Sequence, residues 1–390
     1  MITVFTGLGA ALNVVIVGAS IGGLTVAEVL RRRGFGGTIT LVGEERHPPY
    51  DRPPLSKQVL TESWPAERTR LLSRDALDGL GVEWVLGRRA VHLDRGRQVV
   101  GLDDGRRLPY DRLVIATGLT PRRLPGQPVL DGLHTLRTLD DALALRGEMK
   151  DAGRIAVVGA GVLGCELAAA ARTLGLEVTL VEPAPAPMAR HLGARLGALV
   201  ARTHRGHGVD VRVGTEVHAI TGTAGRVDGL ELTGGEKVRA DLVIVTAGAD
   251  PATGWLTGSG LDLSDGVTCD AYGQAAPGIY AVGDVARFPA GRVESRTNAT
   301  EQAVAVAGNI LGDERPFSSI PYFWTDQYDV KLQIHGRIGH DDRIRWIEGE
   351  PGAGRWVALA ENGDEVTAAI GWKHARGVRL ARERISALSR

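Results

Sequence analysis

The sequence predicts an α/β chain built around two parallel-strand nucleotide-binding units, with a smaller α+β domain at its C-terminal end. Three observations predict it. Residues 14–44 and 155–182 follow one pattern: four β-prone residues, a glycine-rich turn, an Ala-rich helical stretch and a second apolar strand ending in Glu. Residues 111–118 (DRLVIATG) and 241–248 (DLVIVTAG) form a second matched pair, an Asp and four apolar strand residues before a small-residue turn. After residue 320 the glycine fingerprint disappears and short strands with hairpin signals take its place. The 390 residues suit two or three domains, at about 100–200 residues each.

Composition narrows the function classes. Lys+Arg and Asp+Glu both count 46, so the charge balance gives no support to nucleic-acid binding, which leans on a basic surface. With 43% hydrophobic and 24% charged residues, the chain is placed among soluble globular proteins. Residues 1–27 carry no charge, yet no Lys or Arg precedes them and Gly18, Ser20, Gly22 and Gly23 interrupt them. They read as a loose extension over 1–12 followed by a buried strand, turn and helix, not as a signal peptide or membrane span. The two cysteines, Cys165 and Cys269, lie too far apart in sequence for a C-x-x-C pair or a multi-cysteine metal site.

In the first unit the fingerprint positions are Gly18, Ser20 and Gly23, with Glu44 closing the second strand; in the second they are Gly159, Gly161 and Gly164, with Glu182. The chemistry explains the order. The first glycine makes the tight turn, the second lets backbone approach a pyrophosphate, and the third lets the helix pack on the strand, while the acid accepts from a ribose. Ser20 departs from the fingerprint, although a small side chain fits. Arg31, Arg32 and Arg33 close the first helix, where cations suit the dipole. Residues 47–57 (HPPYDRPPLSK) form a proline-stiffened loop that places Arg52 and Lys57, or else a plain connector with solvated charges.

Ala116, Thr117 and Gly118 end the first matched strand and Gly248 the second; each looks like the end of a nucleotide domain. Residues 278–285 (GIYAVGDV) give another buried strand ending at Gly283 and Asp284, which is either a carboxylate placed beside a polyol or a common Gly-Asp turn. His204 and His207 form an H-x-x-H that reads as a solvated helix-to-strand turn, since no further metal-ligand spacing accompanies it. Past residue 320, Trp324 serves either core packing or a ring cofactor; Asn362-Gly363 marks a hairpin turn, and a basic helix is predicted over about 377–388.

Taken together, PYDRPPLSK, GAGVLGCE, GIYAVGDV, RVESRTNATEQA and FWTDQYDVKLQIHG resemble the FAD-dependent NAD(P)H:ferredoxin reductases that serve oxygenases and cytochrome P450s, members of the pyridine nucleotide-disulfide oxidoreductase superfamily that lack the redox disulfide. The resemblance runs from about residue 13 to near the C-terminus. It implies two Rossmann-like domains: an FAD domain over 1–120 and 249–319, split by an NAD domain over 121–248, with an α+β domain over 320–390 capping the flavin. Gly18, Ser20, Gly23 and Glu44 would hold the ADP part of a non-covalent FAD, Asp284 the ribityl chain, with Arg52 and Lys57 nearer the isoalloxazine. Ala116, Thr117, Gly118, Gly248 and Gly283 line the nucleotide sites, and Gly159, Gly161, Gly164 and Glu182 hold NADH. Glu166 matches a residue that pairs with the lysine matched by Lys57, and Trp324 matches an aromatic beside the ring; Lys57, Glu166 and Trp324 are the catalytic candidates.

The implied reaction carries hydride from NADH to FAD and passes single electrons to a small acidic iron–sulfur partner, a [2Fe–2S] ferredoxin, for an oxygenase or P450 downstream. A cytoplasmic location without metal, nucleic acid or membrane span goes with it. The missing dithiol separates the chain from disulfide reductases. An NADH oxidase, a rubredoxin reductase and an NADH-responsive flavoprotein binding module are the alternatives. Lys331, Arg337, Arg343, Arg345 and Arg355 are the candidate steering cations, and oligomeric state is left open.

Overall fold

A computed structural model of the chain describes residues 12–385. The predicted extension over 1–12, apart from Leu12, and the last residues of the predicted C-terminal helix lie outside the described residues. The chain divides into two compact units, the first made of residues up to Asp51, Arg70–Thr120 and Asp250–Ser319, the second of Arg52–Thr69, Pro121–Ala249 and the residues from Ile320 onward.

The first unit centres on a sheet ordered Gln274–Ala276, Ile279–Ala281, Arg112–Ile115, Asn13–Val17, Thr38–Gly43 and Glu83–Leu86, parallel except at the Gln274–Ala276 edge. Its central strand is an unbroken apolar run because both faces are covered, and Val14 through Val17 are buried. Helix Ile21–Arg32 returns the chain to Thr38–Gly43, which lies in register with Asn13–Val17. Arg112–Ile115 flanks the other side, pairing Val17 with Ile115. Strand order therefore reverses beside Asn13–Val17, the point where open α/β sheets bind ligands beyond the carboxyl ends of their strands. The arginine run closes the helix and also clamps it: Arg31 donates to the carbonyls of Phe35 and Gly37 at 2.7 Å, and Arg33 pairs with Asp313 at 2.6 Å.

The second unit repeats the plan. Its parallel sheet runs Asp210–Val213, Glu177–Glu182, Arg154–Val158, Leu242–Val245 and Leu133–His134, with helix Val162–Thr173 following the central strand. The DLVIVTAG segment thus sits beside its fingerprint strand as DRLVIATG does beside the first. The same unit carries a five-stranded antiparallel sheet ordered Tyr322–Gln327, Val330–Gly336, Glu365–Trp372, Trp356–Asn362 and Arg343–Gly349. Gly363, at φ +59°, makes the turn between two of these strands. One face packs Val357, Leu359 and Ala369 against Val378 and Ala381 of the short helix Ala375–Ala381. That helix gives way to a 3-10 turn at Arg382–Arg384, earlier than predicted.

The opposite face corrects the reading of H-x-x-H as a solvated turn. His204 lies inside helix Ala189–Gly206 with no exposed surface. The C-terminal sheet covers it: Nε2 is 3.0 Å from Gln327 Oε1, and Nδ1 is 3.0 Å from the Tyr328 hydroxyl. His207 stacks on Tyr328 at 3.6 Å between ring centroids. No group of three or more His, Cys, Asp or Glu that could hold a metal occurs among the described residues.

Burial pushes the His204 pKa down to about 4, with His207 nearby acting in the same direction and the Gln327 hydrogen bond opposing. The folded protein therefore binds fewer protons than the unfolded chain between about pH 6.5 and pH 4. The neutral ring contributes its full stability above that window and loses it as pH falls through it. Thermal unfolding of the wild type and His204→Gln across pH 7.5 to 4.5 should show the stability difference shrinking toward acid, by about 2 kcal/mol, since one pKa unit corresponds to about 1.4 kcal/mol. A difference independent of pH would show that the ring is not buried in its neutral form.

Candidate functional site

At the end of strand Asn13–Val17 the chain turns so tightly that a Cβ on Gly18, whose φ is +124°, would stand 2.1 Å from the Ala116 carbonyl oxygen. A Cβ on Gly23 would stand 2.0 Å from the Gly18 oxygen. These two glycines bring turn, helix and the Arg112–Ile115 strand together. Ser20 caps the helix through backbone conformation alone, with no side-chain cap hydrogen bond, and the first helical turn has no acidic residue. The positive end of the helix dipole and its free N–H groups thus fit an anionic diphosphate.

The neighbouring loops are fixed by their own hydrogen bonds. Thr117 Oγ1 donates to the Ala252 carbonyl at 2.8 Å, and Gly118 sits at φ +69°. Gln302, buried on helix Arg296–Ile310, accepts at 2.7 Å from the N–H of Gly283, which precedes Asp284 in a 3-10 turn. Arg296 pairs with Asp51 of the proline loop at 2.5 Å. The RVESRTNATEQA motif therefore acts through Arg296 and Gln302, which hold two other motif segments in place. Glu44 is exposed at the end of its strand.

The second turn has the same close approaches, with a Gly164 Cβ 1.9 Å from the Gly159 oxygen and a Gly159 Cβ, at φ +101°, 2.5 Å from the Thr246 oxygen. At Gly161 a Cβ would meet nothing within 4 Å. The open position is the fingerprint's second glycine, where a ligand's phosphates need bare backbone. Helix Val162–Thr173 likewise starts with no side-chain cap and no acid in its first turn. Glu182 is pinned at the strand end, accepting from the Ala160 N–H at 2.6 Å and the Ala184 N–H at 3.0 Å. Gly248 adopts φ +89° after its strand, and Arg190 is exposed.

Lys57 and Glu166 meet inside the second unit. Pro53 and Pro54 preset the 3-10 helix Pro53–Ser56, which delivers Ser56 and Lys57 to one carboxylate. Glu166, only 6% exposed, faces out of the fingerprint helix. Its Oε2 accepts from Lys57 Nζ at 2.8 Å and from Ser56 Oγ at 2.6 Å, and its Oε1 accepts from Thr325 Oγ1 at 2.8 Å. Ser56 and Thr325 were not singled out in the sequence, although each adjoins a residue that was. Arg52 instead donates to the Arg137 carbonyl at 2.5 Å.

Trp324, next to Thr325 on strand Tyr322–Gln327, points to the other face of the sheet and stacks on Tyr322 at 5.8 Å. Its neighbour, not Trp324 itself, contacts Glu166. Several of the candidate steering cations already have partners: Lys331 pairs with Asp326 at 3.3 Å, Arg345 with Glu361 at 2.5 Å, and Arg355 reaches Glu348 at 4.0 Å. Both cysteines are free and buried. Burial, together with Glu166 and Glu182, pushes the Cys165 thiol far up, and burial pushes Cys269 up to about 12, so neither offers a thiolate.

Residues 12–303 match the family described as pyridine nucleotide-disulphide oxidoreductase, and residues 322–390 match the reductase C-terminal domain. The chain is 41% identical over 343 residues to the ferredoxin–NAD(+) reductase component of the p-cumate 2,3-dioxygenase system of Pseudomonas putida, which covers 85% of this chain and 83% of that protein. It is 38% identical to rhodocoxin reductase of Rhodococcus erythropolis, over 83% of this chain and 78% of the relative. The crystal structure of the covalent putidaredoxin reductase–putidaredoxin complex is similar in fold, with TM-score 0.90 and 34% identity over 96% of this chain and 93% of the matched one. This chain belongs to the pyridine nucleotide-disulphide oxidoreductase family.

Proposed function

We propose that the protein is an NADH-dependent FAD reductase that hands electrons singly to a small iron–sulfur ferredoxin supplying an oxygenase or cytochrome P450. The observation that carries this reading is the buried Lys57–Glu166 pair, in a chain with two uncapped fingerprint helices and no C-x-x-C. FAD, when bound, accepts hydride from NADH and releases electrons one at a time. The likeness to oxygenase-system reductases supports the ferredoxin partner, and two free buried thiols suit a reducing, cytoplasmic setting.

In this reading residues 1–120 and 249–319 form the FAD domain and 121–248 the NAD domain, followed by the α+β domain over 320–390. Gly18, Ser20 and Gly23 leave the first helix terminus open to the FAD diphosphate. Glu44 holds the ribose, Asp284 the ribityl chain, and Ala116, Thr117, Gly118 and Gly283 line the loops around them. Gly159, Gly161, Gly164 and Gly248 do the same for NADH. Lys57 supplies positive charge where the flavin ring becomes negative, and Glu166 holds the ammonium in place. Trp324 and Arg52 belong to the flavin's surroundings.

Steady-state assays with a panel of purified [2Fe–2S] ferredoxins test the assignment. NADH-driven ferredoxin reduction should exceed direct oxygen reduction and weaken steeply with salt. Ferredoxin reduction no faster than oxygen reduction at low salt would hand the assignment to the NADH oxidase alternative.

Glu182, already fixed by two backbone N–H groups, should repel a 2′-phosphate. NADH should be favoured over NADPH in kcat/KM by about one to two orders of magnitude, and Glu182→Ala should narrow the gap; equal use of both cofactors would mean a cation reaches the phosphate.

Lys57→Met should slow flavin reduction by about tenfold or more, since a charged group's hydrogen bond contributes about 1.5–3 kcal/mol. Combined with Glu166→Gln, the losses should fall short of additive. Normal reduction rates, or simple additivity, would remove both residues from the catalytic list.

A further inference from the structure

Glu166 is the end of a longer buried chain. Thr325 is 1% exposed, Gln327 4% and His204 not at all. Gln327 Nε2 lies 3.3 Å from Thr325 Oγ1, and its Oε1 lies 3.0 Å from His204 Nε2, while His204 Nδ1 lies 3.0 Å from the Tyr328 hydroxyl. All of these groups belong to the second compact unit.

Donor and acceptor inventories permit one consistent direction for this chain. A carboxylate only accepts, so the Thr325 hydroxyl gives its proton to Glu166 Oε1. Thr325 must then accept from the Gln327 amide N–H. That orientation leaves Gln327 Oε1 toward His204, which donates from Nε2 and so accepts at Nδ1 from the Tyr328 O–H. The second Gln327 N–H is directed at Met188 Sδ, at 3.5 Å. Tyr328 is held by the His207 stack, and His207 Nδ1 is in turn 2.9 Å from the Thr203 carbonyl. From Tyr328 inward, one donor of each group therefore points along the chain toward Glu166, and bonds aligned in one direction polarise one another.

We infer that Thr325, Gln327 and His204 are positioning residues for the Lys57–Glu166 pair, their chain of aligned donors fixing one carboxylate oxygen so that the other stays on the Lys57 ammonium. Without Gln327 the Thr325 hydroxyl is free to rotate toward another acceptor, and Glu166 loses the donor that sets its plane. A fully buried amide and imidazole are costly unless satisfied, and here each satisfies the next group on the way to the carboxylate. The inference deepens the proposed function and rests on the assignment of Lys57 to flavin reduction.

The test uses the FAD-loaded protein, with variants compared at equal flavin content. Thr325→Val and Gln327→Met remove the donors at similar volume; Thr325→Ser keeps the hydroxyl. Each is made alone and in a Lys57→Met background, and the readouts are the rate of flavin reduction by NADH in a stopped-flow instrument and the flavin midpoint potential. Thr325→Val and Gln327→Met should each slow reduction about tenfold, with KM for NADH changed by less than about twofold, as expected when one hydrogen bond to a charged group is lost. The flavin potential should become more negative, and by about 30 mV where the equilibrium constant of reduction falls tenfold along with the rate, since a tenfold change in that constant is about 30 mV for a two-electron couple. Thr325→Ser should restore both values, and both losses should vanish when Lys57 is already Met.

Losses that persist undiminished in the Lys57→Met background would mark a packing effect and overturn the inference. So would unchanged rates and potentials, or failure of Thr325→Ser to restore them. Should Thr325→Val not retain flavin, Gln327→Met and its double variant decide the matter. An impaired Lys57→Met beside silent Thr325→Val and Gln327→Met defeats this inference alone; a silent Lys57→Met defeats the assignment of Lys57 and the inference with it.

Discussion

A carboxylate taken out of water must be surrounded by donors or it will not stay charged, and that requirement organises the second compact unit. Glu166 obtains its donors from two parts of the chain that are far apart in sequence from each other and from its own helix: Ser56 and Lys57 on one side, and Thr325 on the other. Breaking a buried ion pair by removing one partner typically costs about 3–5 kcal/mol. The proline-stiffened loop and the first strand of the C-terminal sheet are therefore not free to wander. Residues 52–69 and those from 320 onward, which carry that acid's partners, belong to the same compact unit as the second fingerprint domain.

The two fingerprint units solve the same steric problem and differ in their chemistry. In both, glycines one and three bring backbone within a distance that no Cβ tolerates, so the turn geometry is nearly invariant. The difference lies in the middle position and the acid. Gly161 leaves open backbone where the first unit has Ser20. Glu182 is tied to the turn through the Ala160 N–H, whereas Glu44 is exposed. The second copy thus arrives with its acid already oriented by two backbone donors.

Both βαβ units were legible in the sequence, because the signals are local: an apolar run, glycines at fixed spacing and an acid at the next strand's end. The matched pair DRLVIATG and DLVIVTAG was legible for the same reason, and each became the strand beside its fingerprint strand. What the sequence hid was convergence. Thr325 and Ser56 look unremarkable until folding brings them to Glu166, and Gln302 gains its meaning from the Gly283 N–H. His204 read as solvated because nothing in an H-x-x-H reveals that a sheet more than a hundred residues later will cover it. The ion pairs within the candidate steering patch were hidden for a related reason: Arg345 meets Glu361 across neighbouring antiparallel strands, a register the linear chain does not display.

Strand Tyr322–Gln327 carries its two kinds of chemistry on alternate residues, Thr325 and Gln327 toward the buried acid and Trp324 toward the opposite face. Period-two alternation makes this division a matter of parity. Slipping the strand by one residue against its neighbour Val330–Gly336 would exchange the faces, placing an indole against Glu166 and a hydroxyl where the indole had stacked. Side-chain substitutions in this strand can be graded, but changes in its register cannot. Relatives sharing this arrangement should therefore vary in length on either side of the segment while keeping the count of residues within it constant.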